Sequence, residues 1–284
     1  MNKLSFILAF TLLSSLLIAP FLYGCSGETG AKLKVVASTS IITQIVERVG
    51  GERVDVINII PPAQCPGHFD VSPGDIKKLS DADLFLLHGW QGEMFAEDIV
   101  ASANNPEMTV IKLNVKVGEN MNWMAPPVQA AAVDKITDAL CQADAANADF
   151  YKNAASAYID IITAKSAEVK NKLAAIHPAD INVLAGQQQA GFIAWAGFNI
   201  IDVFGEPDSL TPQVVKDLID KGKSSNVSLV IDNLQSGQDA GKGVAEELGC
   251  AKVILSNFPG GYDNTDSWEA TIDYNVELLL NAVK

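Results

Sequence analysis

The alternation of apolar and polar positions divides the chain into three stretches. From Lys34 onward, short apolar runs alternate with segments of helical period. KVVAST reads as a strand, Ile41 to Val49 as a helix stopped by Gly50-Gly51, and VDVINII as a second strand. After a Pro-rich loop come a helix over Pro73 to Leu79 and the strands DLFLLH and TVIKLN, with a further helix between them. The central stretch, Asn147 to Ile176, has a different character. Tyr151, Ala155, Tyr158, Ile162, Val169, Leu173 and Ile176 recur on one stripe of a 3.6-residue period, with Lys152, Asp160, Lys165 and Lys172 elsewhere, which predicts one long amphipathic helix. No Gly or Pro lies between Pro127 and Pro178 in a chain that holds 21 Gly and 12 Pro, so nothing breaks it. Thirty helical residues would span roughly 45 Å, enough to cross a whole domain. Beyond it the strand and helix pattern resumes: INVLAG, a helix near Ala190 to Ala196, FNIIDVF, a helix over Pro212 to Lys223, SLVIDN, a helix over Lys242 to Leu248, KVILSN, and a closing helix over Asp266 to Val283.

This pattern predicts an α/β protein of two lobes, 33–146 and 178–284, each a mainly parallel sheet flanked by helices, joined by a rigid backbone helix over 147–177. In such sheets a ligand sits beyond the carboxyl ends of the strands, where strand-to-helix loops converge. The segments to inspect are therefore Ser38 to Ser40, Pro61 to Ser72, His88 to Glu93, Asn114 to Met124, Gly186 to Gln189, Asn233 to Gly237 and Ser256 to Asp263.

The first two dozen residues fit neither lobe. A lone positive charge at Lys3, an apolar run from Leu4 to Leu22 and the tetrad Leu22-Tyr23-Gly24-Cys25 read as an export signal over 1–24. The tetrad resembles a bacterial lipobox, which would make Cys25 the lipidated mature N-terminus and 25–32 a tether to the membrane; the rival is an uncleaved helical anchor. Either arrangement puts the body outside the cytoplasm, in the cell envelope. Without the signal the charge balance is 19 basic against 34 acidic residues, a net −15, which excludes nucleic acid as a natural partner. That charge would attract cations, but solubility of a secreted domain explains it equally well. Of the remaining cysteines, Cys65, Cys141 and Cys250, at least one must stay unpaired within the chain.

Cys65 and His68 lie three apart in a Pro-Gly loop, a spacing at which a thiolate and an imidazole can share one cation, or an incidental thiol can sit in a turn. His88 ends a strand at the ligand edge, where it can ligate or merely cap the strand. Met121 and Met124 flank Trp123, and their thioethers can bind a soft ion or pack. Gln187, Gln188 and Gln189, with Asn233 and Asn257, give the second lobe a neutral amide rim. Trp90, Trp123 and Trp195 fall in or beside cleft-edge segments, and indole walls suit an organic ligand better than a bare ion.

The segment from VVASTS through IIPPAQCPGHFDVSPGDIKKL to DADLFLLHGW, with WMAPPVQAAAVDKI, ALCQADAANADFYKNAASAYIDII and Tyr274-Asn275, resembles the zinc- and manganese-binding lipoproteins of ABC importers, the cluster A-I solute-binding proteins. The resemblance covers nearly all of the mature chain. It implies one cation held between two lobes and delivered to a permease by a monomeric, non-enzymatic protein. Its ligand pattern transfers poorly. Where the family has a D-P-H histidine this chain has Cys65-Pro66-Gly67, with His68 one residue late. The second ligand histidine falls on Met121, the third ligand on about Gln187, and the final aspartate on Ser256 or Asn257. The resulting metal set, Cys65, His68, His88, Met121 and Gln187, would be soft, favouring zinc, with copper as the alternative and manganese disfavoured. Met124, Trp90, Trp123, Gln188, Asn233 and Asn257 would line the cleft. The alternatives are the same fold carrying a metal chelate or an organic cofactor such as a corrinoid or siderophore and, last, a thiol enzyme using Cys65 and His68, for which no third orienting residue is evident.

Overall fold

The computed structural model describes residues 31–90 and 93–283, so Cys25 and the lipobox lie outside it. The first sheet is formed by β1 (Leu33–Ala37), β2 (Val54–Asn58), β3 (Leu84–Leu87) and β4 (Thr109–Lys112), in the order β2-β1-β3-β4. The second is formed by β5 (Asn182–Gly186), β6 (Asn199–Phe204), β7 (Leu229–Asn233) and β8 (Ala251–Leu255), in the order β6-β5-β7-β8. Every pairing is parallel, and the two orders are the same, so one lobe repeats the topology of the other. Central strands carry the most buried sequences: LFLL in β3 and LVIDN in β7 are buried at every position, as strands covered on both faces must be. The direction of winding reverses between β1 and β3, and again between β5 and β7. These are the topological switch points at which open parallel sheets bind ligands.

Local chemistry sets the helix starts. Helix α1 (Ser40–Gly50) ends where Gly51 turns to a φ of 51°, which a glycine adopts without strain. Helix α2 (Pro73–Ser80) opens on a capping box, with the Ser72 hydroxyl accepting from the Asp75 amide and the Asp75 carboxylate from the Ser72 amide. Helix α3 (Phe95–Ala103) follows β3, and α4 (Pro126–Ala143) starts on two prolines, whose missing N–H groups cost nothing in a first turn.

The spine is α5 (Ala148–Ala174), 27 residues long. Its buried positions are Tyr151, Ala155, Tyr158, Ile162, Val169 and Leu173, the stripe read from the sequence; Ile176 lies past its end, before His177 turns left-handed ahead of Pro178. It packs against α1 and α4 and against the C-terminal helix, α9 (Trp268–Ala282). The second lobe is completed by α6 (Gln187–Ala196), α7 (Pro212–Ser224) and α8 (Lys242–Leu248). Helix α6 starts three residues earlier than the periodicity suggests, so the three glutamines form its first turn. Among them Gln189 is buried and donates to the Leu255 carbonyl at 3.0 Å.

Both lobes belong to one compact unit beginning at Lys32, and one hydrophobic core runs through it from Val35 and Ile41 by way of Tyr158 and Ile162 to Trp268 and Leu279. Trp268 is fully buried, and its indole N–H donates to the Trp123 carbonyl of the first lobe at 3.1 Å. No helix among the described residues is long and apolar enough to cross a membrane.

Candidate functional site

Loops at the carboxyl edges of the two sheets enclose a cavity of about 720 Å³. The first lobe contributes Cys65 to Gly67 from the loop after β2, Trp90 from the loop after β3, and Glu119 to Trp123 from the loop before α4. The second contributes Gln187 and Gln188 after β5, Glu206 after β6, Asn233 and Gln235 after β7, and Asn257 and Phe258 after β8. Its wall is thus aromatic rings and neutral amides. Among the described residues the ionisable groups are few: the carboxylates of Glu119 and Glu206 and the thiol of Cys65, with no Lys, Arg or His. Burial pushes the Cys65 thiol up, and the nearby Glu206 carboxylate adds to the shift, so this sulfur holds its proton at neutral pH.

Hydrogen bonds between the lobes border the cavity. Asn120 donates to the Gly191 carbonyl at 2.9 Å, Gln235 to the Pro62 carbonyl at 2.8 Å, and Ser40 to the Pro259 carbonyl at 2.7 Å. Asn122 donates through Nδ2 to both the Gln188 carbonyl at 2.7 Å and Asn257 Oδ1 at 2.9 Å, while Asn257 Nδ2 reaches the same carbonyl at 3.1 Å. Gln188 also donates to Glu206 at 3.1 Å. Close approach is possible because Gly191 has no side chain: a Cβ there would lie 2.1 Å from Asn120 Oδ1 and 3.0 Å from Asn122 Cβ.

Among the described residues, two buried donors in the cavity wall have no partner. Asn233 Nδ2 is one; its Oδ1 accepts from the Gln235 and Ser236 amides at 3.0 and 2.9 Å, which fixes the amide's orientation. The Trp123 indole N–H is the other.

The residues singled out from the sequence divide accordingly. Cys65, Met121, Gln187, Gln188, Trp90, Trp123, Asn233 and Asn257 line the cavity. The others do not, and correct the expectation. His68 is exposed and outside the lining: Cys65 enters the Pro66–His68 turn in extended conformation, and His68 closes the turn on the solvent side, so the two do not converge on one ion. His88 is sealed within the first lobe. Its ring stacks on Trp90 with centroids 3.7 Å apart and meets Trp123 edge-on, and Nε2 pairs with the Thr39 hydroxyl at 2.8 Å. Burial lowers its pKa to about 3, a neutral ring packed between indoles rather than a ligand at the rim. Met124 is a core residue with no exposure. Trp195 likewise stacks on Phe192 away from the cavity. Beside His88, Glu93 is buried and accepts from the Ser38 hydroxyl and the His88 and Gly89 amides; burial still raises its pKa.

Asn120, Asn122, Gln235, Glu206 and Phe258 were not singled out. The signal was present in the loop Glu119-Asn120-Met121-Asn122-Trp123, but a search for ionisable or soft ligands passes over asparagines.

The model of the family described as zinc-uptake complex component A, periplasmic, matches residues 35–282. The chain belongs to that family. Members of the zinc-uptake component A family are substrate-binding transport proteins, not enzymes. Among relatives, the metal ABC transporter substrate-binding lipoprotein SsaB of Streptococcus sanguinis is 24% identical over 98% of this chain and 98% of its own length. The manganese ABC transporter substrate-binding lipoprotein PsaA of Streptococcus pneumoniae is 25% identical over 95% of this chain and 96% of its own. Among solved structures, Pseudomonas aeruginosa FpvC in complex with Ni²⁺ superposes with a TM-score of 0.77 at 23% identity, covering 89% of this chain and 97% of that one. The periplasmic zinc-binding protein TroA of Treponema pallidum gives 0.76 at 14%, covering 89% and 99%. These structural likenesses establish the two-lobe fold. Among the described residues no group of three His, Cys, Asp or Glu side chains is placed to hold a metal ion.

Proposed function

We propose that this protein is the extracytoplasmic substrate-binding component of an ABC importer, that it delivers its cargo to a permease, and that the cargo is a transition metal carried in an organic chelate or cofactor. One observation carries the choice of cargo: the cavity is roomy and walled by Trp90, Trp123, Phe258 and amides, without three ionisable ligands converging. A volume of about 720 Å³ falls in the range of small-molecule sites, several-fold larger than one ion and its waters need. Indole and phenyl faces stack on flat organic groups, and amides pair with carbonyls and hydroxyls. The family description and the metal named for several relatives support a metal within that cargo. A bare zinc ion, the cargo that the sequence favours, would have Cys65 alone as an ionisable donor from the set Cys65, Met121 and Gln187.

The test is native mass spectrometry with elemental analysis on protein purified without chelators. A bound organic mass of several hundred daltons with metal at matching stoichiometry is expected. One zinc per chain, stripped by EDTA and accompanied by no organic mass, would refute the chelate. We further propose that the mature protein is a monomer anchored by lipid on Cys25, as the lipoprotein names of its relatives support. Cys25→Ser should then shift it from the membrane fraction to the soluble one.

A further inference from the structure

We infer that Asn122 is the residue that sets cation selectivity in this cleft: its amide occupies the place where a cation would bridge the lobes, and it latches them without one. The inference goes beyond the identity of the cargo and holds whichever organic group fills the cavity.

The geometry is a triangle. Asn122, from the first lobe, places one nitrogen 2.7 Å from the Gln188 carbonyl oxygen and 2.9 Å from Asn257 Oδ1, both from the second lobe. Two second-lobe oxygens converging on one point at the boundary with the first lobe are the beginnings of a hard-cation site. Here that point holds an amide NH₂, which has two protons to give and gives one to each oxygen. The amide cannot be turned over: Asn122 Oδ1 accepts the Met124 amide at 2.8 Å, and reversal would set two donors face to face. Nor is the loop free to withdraw, since Asn120 Oδ1 accepts the Asn122 amide at 2.9 Å while Asn120 Nδ2 holds the Gly191 carbonyl.

The neighbours of this triangle are the positions where ionisable ligands are missing. Met121 precedes Asn122, Gln187 precedes Gln188, and Asn257 itself forms one corner. A cation entering here would have to displace a satisfied amide and would meet no negative charge within the triangle. A neutral ligand in the adjoining cavity does not disturb it. Asn122 therefore excludes bare divalent ions and leaves the organic-lined space open.

Substitution reverses the logic. Asn122→Asp removes the two donors and sets a carboxylate against the same two oxygens, a hard all-oxygen set suited to Mn²⁺. Isothermal titration of EDTA-stripped protein with manganese chloride should show Asn122→Asp binding about tenfold or more tightly than the parent, about 1.4 kcal/mol or more. Asn122→Ala, which removes the latch without supplying a ligand, should gain much less than Asn122→Asp. Asn257→Asp provides a second route that keeps the fold's hydrogen bonds to Asn122. With the Asn122 amide still donating to its carboxylate, it should bind Mn²⁺ no more than a few-fold better than the parent. The inference is overturned if the parent binds Mn²⁺ as tightly as Asn122→Asp, if Asn122→Ala gains as much, or if Asn257→Asp alone creates the tight site. A parent that carries no organic ligand would count against the chelate and leave these comparisons standing.

Discussion

Trp268 joins the lobes through a buried hydrogen bond, and replacing it measures how much that junction contributes. Its indole is fully buried and donates to the Trp123 carbonyl at 3.1 Å. Trp268→Phe keeps most of the ring but removes the donor. The buried Trp123 carbonyl is then left without that partner, at a cost of about 1–3 kcal/mol. The vacated part of the indole adds a small cavity term, giving roughly 2–4 kcal/mol in all. Trp268→Ala loses the whole side chain and should cost roughly 4–6 kcal/mol, a large share of the total stability of a chain this size. At about 2–4 °C per kcal/mol, the phenylalanine variant should melt roughly 5–15 °C below the parent. Differential scanning calorimetry and urea unfolding by tryptophan fluorescence would measure both. If Trp268→Phe melts within about 2 °C of the parent, the indole bond does not join the lobes energetically and the reasoning fails.

Ile162→Pro in the middle of α5 removes a backbone hydrogen bond and clashes with the preceding turn, costing about 3 kcal/mol or more; unchanged melting and helicity by circular dichroism would refute a continuous spine. Gly191→Ala gains about 1 kcal/mol of helix propensity but forces Asn120 off its bonds, so a net loss of about 1–2 kcal/mol is expected, with faster hydrogen exchange in the Glu119 to Trp123 loop. His88 has its pKa lowered to about 3, so its neutral form is preferred in the fold. The stability this represents is present above the ordinary histidine pKa of about 6.5 and is lost as pH falls from there toward 3, by up to about 1.4 kcal/mol per pH unit. Glu93 acts in the opposite sense: its raised pKa makes ionisation costly, so acidification through that pKa relieves the fold. His88→Gln should flatten the loss of stability between pH 6 and about 4 measured by urea unfolding; an unchanged slope would show that His88 does not titrate with unfolding.

The spine, its buried stripe and both parallel sheets were legible because period and breaker placement depend only on local sequence. Tyr151, Tyr158, Ile162 and Leu173 are buried as their spacing requires. The site was legible by segment but not by atom. A strand's carboxyl edge locates Trp90, Gln187, Asn233 and Asn257 without further information, since topology alone brings those loops together. His88 and His68 stand two residues from Trp90 and three from Cys65, yet one is sealed under an indole and the other faces solvent. Which side of a loop a residue takes depends on contacts with residues distant in sequence, such as Thr39 and Trp123 for His88, and spacing carries no record of those. The same holds for Asn122, whose role rests on two oxygens 66 and 135 residues away.

The continuity of α5 also governs how the molecule can breathe. A helix of 27 residues that packs on α1, α4 and α9 has no loop within it about which a lobe could swing. It behaves as a leaf spring: small bends are spread over many hydrogen bonds, and large ones would break several at once. If cargo enters by way of the cavity, small excursions of the loops that line it, such as Cys65 to Gly67 and Glu119 to Trp123, would then have to admit it. A permease receiving this protein would meet nearly the same outer shape whether it arrives loaded or empty, and would have to sense occupancy at the lips of the cleft.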